Sequence, residues 1–256
     1  MLLRRVIDHV KTQNWTAVGL DFVIVVVGVF MGIQVSNWND ARADHERSEN
    51  YLARIQTDLE GDMYELQRHR DFWNLVTVEG YAAIEFAETS ELGEATEWEI
   101  LRSFLHASQS WTFNFIDTTY SELRSAGELG LIADADLQSA LADYYVAVIA
   151  RRGGSGHYSL MPEYREMIRG RMRSDIMRYY WRACFRQGAG VQEFIDCPPP
   201  PPGAAGLREI LDQLASDDEV IGALRYWVDT QAVATELAEF DLGRARALID
   251  RVEKKK

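Results

Sequence analysis

From Ala17 to Val35 the chain reads AVGLDFVIVVVGVFMGIQV, nineteen residues interrupted only by Asp21 and Gln34. A helix needs roughly twenty apolar residues to cross ~30 Å of hydrocarbon, and this run supplies them. Trp15 and Trp38 bracket it. At ~1.5 Å per residue they would stand roughly 34 Å apart, the spacing of two interfacial aromatic anchors. The pattern predicts a transmembrane helix over residues 15–38 behind a short N-terminal segment, 1–14. Two other readings compete. A buried core helix seldom runs so long without charge. Ala41-Arg42-Ala43 has the form of a signal-peptide cleavage site, but the apolar run is longer than a signal h-region.

Beyond the span the periodicity is helical. A long helix is predicted from about Asp40 to Glu88, continuing from the span. Its stripe is Leu52, Ile55, Leu59, Met63, Leu66, Arg70, Trp73, Thr77, Tyr81 and Ile84. The steps average near 3.6, which favours packing in a globular bundle over a supercoiled seam. Gly61 and Gly80 are candidate bends or close-packing points. Three Thr/Ser-x-x-Glu boxes mark helix starts: Thr96 with Glu99, Thr119 with Glu122, and Ser216 with Glu219. Between Asp117 and Tyr145 the pattern predicts a short helix, a turn at 127–132 and a second helix from about Asp134. One further helix is expected from Pro162 to Phe185 and a last one from Asp217 to about Val252. Five of the six prolines form one run, Pro198 to Pro202, an extended spacer. No stretch shows sustained period-two alternation, so no strand is expected. The fold class is all-α: one transmembrane helix followed by a helical-bundle domain over 39–256.

Charge narrows the function. Asp and Glu number 40 against 27 Lys and Arg, a formal charge of −13, which argues against nucleic acid as a partner. Chemistry-bearing patterns are sparse. Glu65 and His69 share a helix face but read as a solvated ion pair, and His106 reads as a satisfied core histidine. The glycine-rich Arg152 to His157 segment follows no strand and reads as a loop. Haem-attachment, phosphate-loop and nucleophile-elbow patterns are missing. No catalytic residue, metal site or cofactor is expected, and the chain does not read as an enzyme.

Three features point to interactions instead. Gly28 and Gly32 form a small-xxx-small pair that lets a second helix approach, although lipid-facing glycines would look the same. Asp21 is an ionisable group inside the apolar run, by default a functional signal. It also lies near enough to the helix end for water to solvate it. The stretch from Arg151 to Arg186 holds nine arginines against three acids, net +6, leaving −19 elsewhere. Within it Arg165, Arg169, Arg171, Arg173, Arg178 and Arg182 make a candidate basic surface for an acidic partner or anionic lipid. The alternative is neutralisation by the chain's own acids, such as Glu209, Asp212, Asp217 and Asp218. Cys184 and Cys197 are spaced for a disulfide, which would persist only in an oxidising compartment. Two unrelated buried thiols are the alternative. Basic residues flank the span almost evenly, so the cysteines favour a cytoplasmic N-terminus and a periplasmic bundle.

The run LDFVIVVVGVFMGIQVSNWN, Leu20 to Asn39, resembles the membrane segment of an uncharacterised family of single-pass proteobacterial membrane proteins. The DTTYSEL segment, with Leu131-Ile132 and Tyr144-Tyr145 downstream, is similar to a second block of that family. Together the blocks cover about a fifth of the chain. The resemblance implies a bacterial inner-membrane protein and supplies no catalytic residues. The expected function is a non-catalytic accessory or scaffolding subunit. It would bind membrane lipid and another integral membrane complex (respiratory, photosynthetic or transport) or a second copy of itself. A periplasmic sensor that binds a ligand and relays through its membrane helix is the alternative.

Overall fold

The computed structural model describes residues 15–152, 161–188, 191–201 and 206–254. It is all-α apart from one short hairpin. In chain order the elements are α1 (Trp15–Thr89), α2 (Glu97–Ala107), α3 (Thr118–Ser125), a 3-10 turn (Leu129–Leu131), α4 (Ala135–Arg152), α5 (Glu163–Arg171) and α6 (Ser174–Ala183). The strands β1 (Phe185–Gly188) and β2 (Val191–Phe194) follow, then α7 (Leu207–Ala215) and α8 (Asp218–Glu253). The chain divides into two compact units, Met1–Tyr51 and Leu52–Lys256, with α1 contributing to both.

In the first unit α1 is unbroken from Trp15, as expected of a run without proline. Its polar stretch carries ion pairs of helical spacing, Arg42 with Glu46 at 3.1 Å and Arg47 with Asp44 at 2.5 Å.

In the second unit α1 turns one face into the core. The buried line is Leu52, Ile55, Leu59, Asp62, Leu66, His69, Trp73, Val76, Gly80, Ala83 and Phe86, with Phe72 and Thr77 also buried beside it. Ten steps from Leu52 to Phe86 average about 3.4 residues, shorter than the period read from the sequence. The expected stripe is buried at Leu52, Ile55, Leu59, Leu66, Trp73 and Thr77, but it places Met63, Arg70, Tyr81 and Ile84 where Asp62, His69, Gly80 and Ala83 are buried. Two buried polar residues and one glycine occupy the true seam, and a count of apolar residues passes over them. Gly80 is there because α8 comes close. A Cβ at that position would lie 2.2 Å from Val228 Cγ2.

α8 lies against α4, α5 and α7, and α2 packs against α5 and α7. Its buried face runs from Val220 and Leu224 through Trp227, Gln231, Ala234 and Ala238 to Leu242, Ala245 and Val252. The smallest of these side chains sit at mid-helix, where neighbouring backbones must approach.

One of the three expected capping boxes forms. Thr96 Oγ1 accepts from Glu99 N at 3.3 Å, and Thr96 N donates back to Glu99 Oε2 at 2.6 Å. At α3 the cap residue is Asp117, and Thr119 N donates instead to Asp58 Oδ2 of α1 at 3.2 Å, while Glu122 pairs with Arg54. At α8 Asp217 replaces Ser216, accepting from Glu219 N and Val220 N at 3.1 Å. A carboxylate is the better acceptor at a helix N-terminus.

Two further expectations need correction. The single helix over Pro162 to Phe185 is two, broken where Met172 and Arg173 take extended conformations; the break lets Ile168, Ile176 and Tyr180 all reach the core. The expected absence of strands fails at the antiparallel β1–β2 hairpin, registered Phe185 to Phe194. Its strands are only four residues long, too short for alternation to register. Helix α7 adds an element whose boundaries the sequence pattern does not predict.

Candidate functional site

The apolar part of α1 is open along its length. Phe22, Phe30 and Met31 are 60–69% exposed. The segment beginning at Gly19 has a mean hydropathy of 2.0 over an eighteen-residue window, and none of that window is buried. By length and composition it can cross a membrane. At 100° per residue, Asp21, Gly28 and Gly32 (i, i+7, i+11) fall within about 20° of one line along the helix. A Cβ at Gly28 or Gly32 would meet nothing within 4 Å. The helix thus gathers the acid and both glycines onto one face. Trp38 is exposed on a different face, and the Trp15 side chain lies outside the described residues.

The second feature is the hairpin. Cys184 and Cys197 form a disulfide with Cα atoms 5.1 Å apart, closing the β1–β2 loop at its base. Ile195 N donates to Cys184 O at 2.9 Å, and Arg186 pairs with Glu193 across the strands at 3.1 Å. Core groups hold this base in place. Trp98 Nε1 donates to Cys197 O at 3.1 Å. His106 lies between Glu79 Oε1 at 3.2 Å and Cys184 O at 3.3 Å, stacked on Phe194 at 4.2 Å. Burial alone would raise the Glu79 carboxyl. Hydrogen bonds from His106 and Ser103 outweigh it and hold the group below its usual range. His106 is therefore a buried structural histidine. His69 differs from its expected solvated pairing: it is buried, contacts the backbone oxygens of Glu65 and Thr112, and is pushed down by burial. Glu65 pairs with Arg68 instead.

The six arginines of the expected basic surface separate into three sets. Arg171 pairs with Asp217 at 2.5 Å and Glu219 at 3.4 Å, and Arg173 pairs with Asp175 at 2.6 Å. Arg165 and Arg169 are half-buried and meet neutral groups. Arg165 Nη1 donates to Ser110 Oγ at 3.0 Å, and Arg169 Nη2 to Gln109 Oε1 at 3.1 Å. Arg169 also lies over the Trp181 ring at 4.8 Å. Burial lowers both guanidiniums, and the neighbouring Arg165 helps push Arg169 down to about 10. Arg178 and Arg182 are exposed and line a cleft of about 300 Å³ with Tyr179, Pro200 and Pro201. Tyr179 Oη donates to Pro198 O at 2.7 Å, tying the start of the proline run to α6. Of the acids expected to neutralise the stretch, Asp217 does so, while Asp212 pairs with Arg208. The side chains of Arg151 and Arg152 lie outside the described residues.

Sequence reasoning overlooked a buried polar cluster. Asp62 is 1% exposed; its Oδ1 accepts from Ile116 N at 2.7 Å, and its Oδ2 has no partner. Burial, with the nearby acids Asp58 and Asp117, pushes its carboxyl up to about 7. The buried hydroxyls of Tyr144 and Tyr145 also lack hydrogen-bond partners, and burial beside Asp62 pushes both phenols up. The available signal was spacing: Asp62 falls three residues after Leu59 and four before Leu66, in register with the seam.

Among the described residues, no three His, Cys, Asp or Glu side chains converge as a metal site would require. No protein-family model, curated protein or solved structure matches the chain.

Proposed function

We propose that the protein is a non-catalytic accessory or scaffolding subunit, anchored in a bacterial inner membrane by α1 and bound there to another integral membrane protein. One observation carries this reading: Asp21, Gly28 and Gly32 share an open face of the apolar run in α1. Two glycines one turn apart form a groove that admits a second helix closely, and an acid on the same line offers it a polar contact. The Cys184–Cys197 bond favours an oxidising compartment for the bundle, hence the periplasm, with the N-terminus cytoplasmic. Affinity purification from native membranes should return a stoichiometric membrane partner, and the Gly28→Leu/Gly32→Leu variant should lose it while keeping the bundle folded. Purification of the protein alone, or a partner retained by the variant, overturns the reading.

A ligand-sensing bundle is a second reading. It is favoured by Arg165 and Arg169, which are half-buried and pair with no acid among the described residues.

A further inference from the structure

We propose that Arg165 and Arg169 form a binding site for the carboxylate of a small organic acid, whose apolar body lies along Met161 and Pro162. The proposal rests on the bundle alone and stands whether or not α1 binds a membrane partner. The two arginines are four residues apart on α5, hence on one helix face. Both are partly withdrawn from water, and their hydrogen-bond partners, Ser110 and Gln109, are neutral. Arg169 Nε is buried and has no partner.

No carboxylate among the described residues pairs with either guanidinium, and none contributes to the electrostatic field that shifts them. Asp8 is the one acidic side chain outside the described residues. Elsewhere in the same stretch the chain does supply counter-charges, at Arg171, Arg173 and Arg186. Two half-buried, mutually repelling cations without a counter-ion are costly. A guanidinium cannot relieve the cost by losing its proton, so an incoming anion recovers it. The planar donor fork of arginine suits a carboxylate, which it can engage through two parallel hydrogen bonds.

The surroundings narrow the ligand class. A cleft of about 350 Å³ is formed by Met161, Pro162 and the two arginines. A second hollow of about 260 Å³ shares Met161 and Pro162 and continues to Tyr226 and Trp227 of α8. Cationic and apolar halves therefore adjoin, as a carboxylate with an aromatic or short aliphatic body requires. Glu163 and Glu166, both exposed, line the same cleft, and Glu163 also lines the second hollow. Their repulsion grows with the charge of the ligand, so it disfavours phosphate dianions and anionic bilayers more than a singly charged carboxylate.

The test uses the full-length chain in neutral detergent and isothermal titration with phenylacetate, its uncharged analogue phenylacetamide, and inorganic phosphate. Phenylacetate should bind saturably at one site, at least tenfold more tightly than either comparator. Arg165→Gln and Arg169→Gln should each weaken it at least tenfold, and Arg178→Gln should leave it unchanged. Independently of any substitution, phenylacetate should protect Arg165 and Arg169 of the native chain from phenylglyoxal, read by peptide mass spectrometry, without protecting Arg178. Absence of saturable binding, equal binding of the amide, or absence of protection would each overturn the proposal. Preferential capture of phosphate or of phosphatidylglycerol vesicles through the same arginines would overturn it as well.

Discussion

Replacing Asp62 by Asn should make the bundle more stable at alkaline pH and change it little in acid. Asp62 is buried, and its carboxyl is raised from the ordinary 3.8 to about 7. At ~1.36 kcal/mol per unit, holding it ionised in the fold costs on the order of 4 kcal/mol. The sign follows from proton uptake. Below about pH 3.8 the group is neutral in both folded and unfolded chains and costs nothing through ionisation. Between 3.8 and about 7 the folded chain retains a proton that the unfolded chain releases, so stability falls as pH rises. Above about 7 the loss is complete. From about pH 5 to about pH 8 the wild-type chain should therefore lose roughly 3 kcal/mol through this residue. Asparagine keeps the oxygen that accepts from Ile116 N and removes the charge, but it buries an N–H₂ group at a cost of about 1–3 kcal/mol. The variant should thus gain roughly 1–3 kcal/mol at about pH 8 and lie within about 1 kcal/mol of wild type at about pH 5. At roughly 2–4 °C per kcal/mol for a domain of this size, circular dichroism melting of both proteins across the range resolves the difference. Every other ionisable group is common to both proteins, so the difference between the curves isolates Asp62. A variant less stable than wild type at both pH values, or parallel curves throughout, would refute the argument.

Gly80→Ala should destabilise the bundle by about 1–2 kcal/mol. The added methyl must displace the stiff Val228 side chain, and overpacking of ~1–3 kcal/mol exceeds the ~1 kcal/mol gain in helix propensity. Val228→Ala should restore most of the loss, and a stabilised Gly80→Ala would show that α1 and α8 do not meet there. Replacing Cys184 and Cys197 with Ser should cost about 3 kcal/mol by the loop-entropy relation, measured as a lower melting temperature. After reduction, an impermeant thiol reagent should reach both cysteines in intact spheroplasts once the outer face is denatured. Labelling only after lysis would place the bundle in the cytoplasm.

Much of the architecture was legible because its causes are local. The apolar run around Val23 to Val35, the Thr96–Glu99 box, the turn at Gly127 and the start of α8 each depend on residues a few positions apart. The chain writes those relations into its own order. The cysteine spacing is local in the same sense, because a thirteen-residue separation can close only as a turn or hairpin. What escaped depends on distant partners. Asp62 faces inward because Ile116 N and the tyrosines of α4 lie opposite it, which no period on α1 can announce. Thr119 gives up its cap because Asp58, sixty-one residues earlier, reaches its amide first. The same holds for charge. Composition counts nine arginines in one stretch, but only the fold decides that Arg171 finds Asp217 while Arg165 and Arg169 find neutral groups. Helical periods and caps are set by near-neighbour sterics and hydrogen bonding. Burial of a polar side chain and neutralisation of a charge are set by whatever the tertiary structure brings alongside, and that sum runs over the whole chain.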